Sequence, residues 1–203
     1  VEQSLATLGQ RPVEWLLNNH KIDSNWCLIH ATHMTMEETI ALAATGATVG
    51  ICPTTEANLG DGLFPLDDYL RAGGSIAIGS DGNSAIDPFE EMRWLEYGQR
   101  LATGRRNVAA GNDDLHTGSH LYRNCAVGGG RAINAPTGAI ADGYRADLLV
   151  VDDRSAERAD LEPRHLLDNL LFSPSERPIA DVMVNGKWRI QAGPVSYTHL
   201  RAH

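Results

Sequence analysis

The sequence lacks the features that mark membrane, secreted and nucleic-acid-binding proteins. It has no apolar run near the ~20 residues that cross a bilayer, and residues 1–10 lack the basic start and apolar stretch of a signal peptide. Cations are also scarce, since 17 Lys and Arg stand against 26 Asp and Glu, for a formal net charge of −9. This balance argues against a phosphate-binding surface. We therefore expect a cytoplasmic protein that binds neither membrane nor nucleic acid.

Cysteine is rare, and its spacing is uninformative for metal or redox chemistry. Cys27, Cys52 and Cys125 are an odd number without CxxC or CxxH spacing, and two of them end apolar runs. A small buried side chain fits those positions, so we predict core thiols. The chain has the apolar mass for such a core, because 42% of its residues are hydrophobic.

Three continuous apolar runs organise the first two thirds of the chain. They lie at residues 26–30, 48–52 and 75–79, and helical patterns separate them. Continuous runs indicate strands buried on both faces, as in the parallel sheet of an α/β barrel or a doubly wound fold. A closed barrel needs eight such units. We see three, with one further helix at residues 12–17, and expect the chain to start within the fold.

Two helix starts are clear. Thr35, followed three residues later by Glu38, forms a capping box. Asp87 precedes Pro88, which is the arrangement of an N-cap and a first helical residue. Each pair predicts a helix that follows one of the strands.

The remaining segments are less regular. Residues 53–64 contain proline and glycine and predict a loop, and a short helix follows over residues 65–71. One more helix is predicted over residues 116–127, and the glycines at 128–130 are expected to break it.

The C-terminal part has a β pattern. Residues 145–152 predict a strand, and residues 181–190 give two alternating segments joined at Asn185 and Gly186, which is a type I′ hairpin signal. We predict that these strands belong to a small separate sheet.

These patterns divide the chain into three parts. Residues 1–135 contain the predicted βα units. Residues 136–195 contain the predicted small sheet. Residues 196–203 continue no earlier pattern and are expected to be a non-native tail.

Polar residues follow each predicted strand, at the end where βα barrels place their reacting groups. His30 ends the first strand, Glu56 and Asn58 follow the second, and Asp81 follows the third. An imidazole that hydrogen-bonds a reacting water, beside a carboxylate that binds metal and carries a proton, suits metal-assisted hydrolysis. Position alone leaves structural roles open, because these residues also suit turns, caps and exposed loops.

Three further histidines are weaker candidates. His33 is expected in a loop before the next helix. His116 and His120 are four residues apart and can share a helix face, but no Glu or third ligand accompanies them. We predict a surface pair.

Four segments together resemble one family. They are WCLIHATH at residues 26–33, CPTTEANLGDG at 52–62, IGSD at 78–81 and EEMRWLEYGQRL at 90–101. They are similar, in order, to the formimidoylglutamate deiminases of the amidohydrolase superfamily. The His and the Asp are common to the superfamily, whereas the second and fourth segments resemble the deiminases in particular.

The resemblance implies a (β/α)8 barrel with one divalent metal, expected to be zinc, and residues 1–135 would be the C-terminal βα units of that barrel. Residues 136–195 would form a small composite, β-sandwich-like domain that includes a helical segment packed on the barrel. His30 would end the sixth strand and hydrogen-bond the attacking water or the tetrahedral centre. Asp81 would end the eighth strand, bind the metal and carry a proton. The implied reaction is hydrolytic deamination of N-formimidoyl-L-glutamate to N-formyl-L-glutamate and ammonia, in histidine degradation. Glu56 and Asn58 are candidates for substrate contact, and a homodimer is a further expectation.

The resemblance also implies missing parts. The family's His-x-His pair, a further metal-binding His and a Glu acid/base would all precede Val1, so we expect an inactive fragment that binds metal weakly. Two alternatives stay open. One is another amidohydrolase deaminase or chlorohydrolase that acts on a purine, pyrimidine or triazine ring. The other is a non-enzymatic structural or partner-binding fragment.

Overall fold

A computed structural model describes residues 1–111, 115–152, 160–173 and 178–191. The helices in these ranges are α1 (Glu2–Leu8), α2 (Pro12–Asn19), α3 (Met36–Ala44), α4 (Pro53–Leu59), α5 (Leu66–Arg71), α6 (Pro88–Thr103), α7 (Thr117–Ala132) and α8 (Leu166–Phe172). The strands are β1 (Cys27–Ile29), β2 (Thr48–Ile51), β3 (Ser75–Ile78), β4 (Leu148–Val151), β5 (Ile179–Val184) and β6 (Lys187–Ile190). A 3₁₀ turn, Pro163–His165, leads into α8. No helix in the described ranges has the length and apolar character to traverse a bilayer.

The first three strands form the predicted parallel sheet, in the order β1-β2-β3. Thr48 pairs with Cys27 on one side and with Ser75 on the other, so the three strands start in register. Every residue of β2 is buried, as a continuous apolar run predicts. The prediction is wrong for β1, where the Ile29 side chain is 57% exposed. Both β1 and β3 are edge strands of this sheet, but helix α7 packs chiefly on β3 and β2 and leaves Ile29 less covered.

The capping box before α3 is confirmed and also joins α3 to α2. The Thr35 hydroxyl accepts from the Glu38 N–H at 3.2 Å, and the Glu38 carboxylate accepts from the Thr35 N–H at 2.7 Å. The same carboxylate accepts from Arg11 Nε at 2.9 Å and from the Glu14 N–H at 3.1 Å. Glu38 is buried, and these three hydrogen bonds to its carboxylate compensate the cost of burying its charge.

The loop predicted at residues 53–64 is wrong in its first half, which is helix α4. Pro53 takes the first helical position, where its missing N–H costs nothing. The Glu56 carboxylate accepts from the Cys52 N–H at 2.9 Å and thereby satisfies a backbone donor at the helix start. The helix ends at Gly60, which has a φ of 73°.

The glycines at 128–130 lie inside α7 and do not break it, contrary to the prediction. A Cβ added at Gly128 would lie 1.8 Å from the carbonyl oxygen of Ile76 in β3. This helix therefore needs glycine to approach the sheet so closely, and packing outweighs the poor helix propensity of glycine.

The C-terminal strands form a separate antiparallel sheet, β4-β5-β6, as predicted. The hairpin between β5 and β6 turns at Asn185 and Gly186, whose φ values of 51° and 73° confirm the type I′ signal. The described residues contain one sheet in this part, so the sandwich and the division at residue 136 stay predictions. The 196–203 tail lies outside the described residues.

The core thiols are confirmed for Cys52 and Cys125, which are buried and free, while Cys27 is half-buried. Burial raises the pKa of the Cys125 thiol to about 12. The pKa of Cys52 rises to about 11, first because of burial and then because of the Glu56 and Asp81 carboxylates. Both side chains are therefore protonated, apolar members of the core at neutral pH.

Substitution of Gly128 tests the contact between α7 and the sheet. We expect Gly128→Ala to destabilise the fold by about 1–3 kcal/mol or more, because backbone atoms of β3 would have to move. The matched control is Gly129→Ala in the same helix, where an added Cβ meets nothing within 4 Å. That change should stabilise by up to about 1 kcal/mol. Urea unfolding followed by circular dichroism measures both, and equal effects would contradict the packing argument.

Candidate active site

The two candidate residues lie where β1 and β3 leave the sheet at their carboxyl ends. The His30 N–H donates to the Gly50 carbonyl at 2.8 Å, which extends the β1 ladder by one bond. Similarly, the Gly79 N–H donates to the Ile51 carbonyl at 3.0 Å, and Asp81 follows two residues later. Both side chains therefore project from the same edge of the sheet.

His30 stands between two carboxylates and faces them with different ring nitrogens. Its Nδ1 lies 3.2 Å from Glu56 Oε1, and its Nε2 lies 3.9 Å from Asp81 Oδ2. The His30 and Asp81 side chains are 40% and 48% exposed, whereas that of Glu56 is 4% exposed. The sequence prediction that His30 and Asp81 meet at one place agrees with this geometry.

The backbone at these residues has an unusual conformation. His30, Ala31 and Asp81 have φ values of 68°, 49° and 45°, in the left-handed region that non-glycine residues seldom adopt. Such strain costs of order 1–3 kcal/mol per residue and clusters at functional sites. The surrounding contacts hold the imidazole and the carboxylate at this edge despite that cost.

Glu56 lies on a buried face of α4, which differs from the exposed loop position predicted for it. Its Oε1 accepts from the Cys52 N–H at 2.9 Å and also faces His30 Nδ1. Burial raises the pKa of the Glu56 carboxyl, and the hydrogen bonds from Cys52 and His30 partly offset that rise. Asn58, the other loop candidate, is exposed and does not line the pocket beside His30.

Residues outside the predicted set hold this arrangement together. Glu91 of α6 is 2% exposed, and its carboxylate accepts from the Thr54 N–H at 3.0 Å and from the Thr54 hydroxyl at 2.5 Å. The Thr55 hydroxyl donates to the Ser80 carbonyl at 2.8 Å, one residue before Asp81. Thus α4 is fixed both to α6 and to the turn that carries Asp81.

A cavity of about 330 Å³ opens beside His30 on the β1 side of the sheet. Its lining includes Val13, Leu28 and Ile29, together with His33 and Asp61. The walls are mainly apolar with a few polar groups, as in small-molecule sites. His33, a weaker candidate from the sequence, therefore lies beside this cavity.

His30 and Asp81 fit part of a metal-binding set. An aspartate oxygen and an imidazole nitrogen are hard and borderline donors that suit zinc, and catalytic zinc takes about three protein ligands plus water. Asp81 Oδ2 and His30 Nε2, 3.9 Å apart, can face one ion or one water bound to it. The described residues at this edge provide no group of three such ligand atoms.

The predicted surface pair of His116 and His120 is wrong for His116. His116 is the N-cap residue of α7, and its Nδ1 lies 2.8 Å from Asp168 Oδ2. Asp168 is 52 residues away along the chain, so spacing within one helix could not reveal this partner.

The described residues form an α/β unit of three parallel strands in chain order, with an imidazole and a carboxylate at the carboxyl edge where α/β barrels carry their active sites. A sequence profile of the amidohydrolase family matches residues 1–189. The chain belongs to the amidohydrolase family.

Individual relatives agree with this membership. The chain is 45% identical over 193 residues to formimidoylglutamate deiminase of Pseudomonas aeruginosa, covering 95% of this chain and 43% of that protein. A crystal structure of an amidohydrolase from Brucella melitensis matches with 40% identity and a TM-score of 0.89, over 97% of this chain and 43% of that one. An adenosine deaminase from Xanthomonas campestris with bound zinc matches with 27% identity and a TM-score of 0.81, over 95% of this chain and 43% of that one. The chain thus spans less than half the length of these relatives.

Substitution of Glu56 tests whether its carboxylate orients the His30 ring. In Glu56→Ala the buried Cys52 N–H loses its acceptor, and we expect a loss of about 1–3 kcal/mol in stability. Glu56→Gln keeps an oxygen for both donors and should be closer to wild type in stability. In ¹⁵N NMR spectra, wild-type His30 should carry its proton on Nδ1, and Glu56→Ala should lose that preference. A wild-type ring protonated only on Nε2 would contradict this arrangement.

Proposed function

We propose that this chain is part of a deiminase that hydrolyses N-formimidoyl-L-glutamate to N-formyl-L-glutamate and ammonia. The observation that carries the proposal is the 3.9 Å approach of His30 Nε2 to Asp81 Oδ2 at the carboxyl edge of the sheet. Membership of the amidohydrolase family supports metal-assisted hydrolysis as the reaction in which this pair takes part. The substrate is proposed from the 45% identity to the Pseudomonas enzyme, which exceeds the 28% identity to a 5-methylthioadenosine/S-adenosylhomocysteine deaminase.

Asp81 would bind one divalent metal, proposed to be zinc, together with ligands from outside the described residues. Zinc bound in the Xanthomonas relative supports this choice. When bound, such an ion lowers the pKa of a water molecule toward neutrality and polarises the bond to be cleaved.

The protein side chains would then orient the reaction and move its protons. With its Nδ1 proton donated to Glu56, His30 presents an unprotonated Nε2 that can accept a hydrogen bond from the reacting water. The Asp81 carboxylate can take a proton from that water as the water oxygen bonds to the formimidoyl carbon. It can then deliver the proton to the amino group, which leaves as ammonia when its C–N bond breaks. Glu56 acts through His30 and is a positioning residue in this proposal.

A second candidate function is deamination of a nucleoside or a related ring. It is favoured by the resemblance to adenosine and methylthioadenosine deaminases at 27–28% identity. His30 and Asp81 would keep the same roles on a ring carbon. The two proposals therefore differ in the groups that bind the rest of the substrate.

Replacing His30 or Asp81 tests the proposed chemistry. In a longer protein that contains this chain, His30→Ala and Asp81→Asn should each lower ammonia release from N-formimidoyl-L-glutamate by about 10²–10⁴-fold, because each removes a group that handles protons. Ile140→Ala, at a 91% exposed position outside the candidate site, is the control and should remain near wild type. Faster release from 5′-methylthioadenosine than from formimidoylglutamate would support the second function and refute the first.

We also propose that the 203 residues alone are inactive, because the described residues at this edge bring only the Asp81 carboxylate to the Nε2 side of His30 and provide no third metal-ligand atom. With zinc added, the purified chain should release no ammonia from formimidoylglutamate above the background rate. A chelator-treated sample is the control, and zinc-dependent turnover would refute the proposal.

A further inference from the structure

A second cluster of metal-ligating side chains lies where the start of α7 meets the start of α8. It consists of His116, His165 and Asp168, each offering one ligand atom, and these atoms all lie within 4.8 Å of one another. All three side chains are partly buried. The cluster contains neither His30 nor Asp81, so it is distinct from the candidate active site.

The fold brings these three residues together from two directions. His116 is the N-cap residue of α7, while His165 ends the 3₁₀ turn before α8 and Asp168 lies in the first turn of α8. Because His165 and Asp168 are three residues apart on one helical path, they share a face. The His116 and His165 rings meet edge to face, with centroids 4.8 Å apart.

Backbone packing fixes the position of the carboxylate. A Cβ added at Gly118 would lie 2.6 Å from the backbone nitrogen of Asp168, so the two helix starts touch through their main chains. The Gly118 N–H donates to Asp168 Oδ1 at 2.6 Å. The other oxygen, Oδ2, is turned toward His116 Nδ1 at 2.8 Å. One oxygen is thus held by the backbone while the other faces the His116 imidazole, as in metal sites whose carboxylates are oriented by hydrogen bonds.

We propose that His116, His165 and Asp168 form a binding site for a divalent cation of the zinc class. Two imidazoles and a carboxylate are a common zinc donor set, which leaves a fourth position for water. Zinc bonds of about 2.0–2.2 Å place neighbouring ligand atoms about 3.3 Å apart. The 2.8 Å separation of His116 Nδ1 and Asp168 Oδ2 needs to widen by only about half an ångström to admit the ion.

The bound cation would join two parts of the molecule. Helix α7 packs on the parallel sheet through Gly128, and α8 contacts α7 at Gly118. An ion bound by His116 at the start of α7 and by His165 and Asp168 at the start of α8 would therefore link α8, through α7, to the parallel sheet. The site is therefore structural, and it does not depend on the proposed deiminase function.

Cobalt absorption of the metal-free, purified chain tests the site. Co²⁺ should give visible d–d bands without a thiolate charge-transfer band, because no cysteine is among the ligands. His165→Ala and Asp168→Asn should each weaken binding at least tenfold, and Zn²⁺ should displace the cobalt. Asp168→Asn keeps an oxygen for the Gly118 N–H, so it removes the charged ligand and retains the helix contact.

The controls separate this site from other metal-binding groups. His120→Ala alters a histidine one turn further along α7, and a combined His30→Ala and Asp81→Asn variant alters the candidate active site; both should retain the bands. Zinc should also raise the midpoint of thermal unfolding in wild type and not in Asp168→Asn. No bands in wild type, bands that survive in His165→Ala, or bands lost with His30 and Asp81 would each overturn the proposal.

Discussion

The pairing of β1, β2 and β3 in one parallel register is the constraint on which the candidate active site depends. In-register strands end at one edge, so His30, Cys52 and Asp81 emerge together although about 50 residues of chain separate the first from the last. The backbone is left-handed at both His30 and Asp81, whose side chains approach to 3.9 Å between Nε2 and Oδ2. Glu56 is placed by the same edge, because its helix begins directly after β2.

The sequence predicts the parts of this arrangement that follow from local chemistry. Continuous apolar runs predict the parallel strands, and the capping box at Thr35 predicts the start of α3. Asn185 followed by Gly186 predicts the turn between β5 and β6. The meeting of His30 and Asp81 was also predictable, since any parallel sheet gathers its carboxyl ends. Their catalytic roles stay proposals, whereas the family itself is shown by the match over residues 1–189.

What the sequence could not show arises from contacts between distant segments. The loop signal before Phe64 concealed α4, whose first turn is also held by a distant residue, because the Thr54 N–H donates to the Glu91 carboxylate of α6 at 3.0 Å. Glycine has a low helix propensity, and the close Ile76 carbonyl of β3 explains the place of Gly128 in α7. Likewise, the partner of His116 is Asp168, which no pattern within α7 can reveal.

The histidine–carboxylate group at His30 and the one at His116 differ in how open they are to a small molecule. At His30 the buried Glu56 faces Nδ1 while the partly exposed Asp81 faces Nε2, so the ring has one structural side and one side open to a small molecule. At His116 the carboxylate of Asp168 is fixed by the Gly118 N–H, and the second imidazole packs against the first. The first geometry leaves room for a reacting water, whereas the second directs its donors inward at a junction between helices. This difference is the reason for proposing catalysis at the strand ends and structural metal binding at the helix junction.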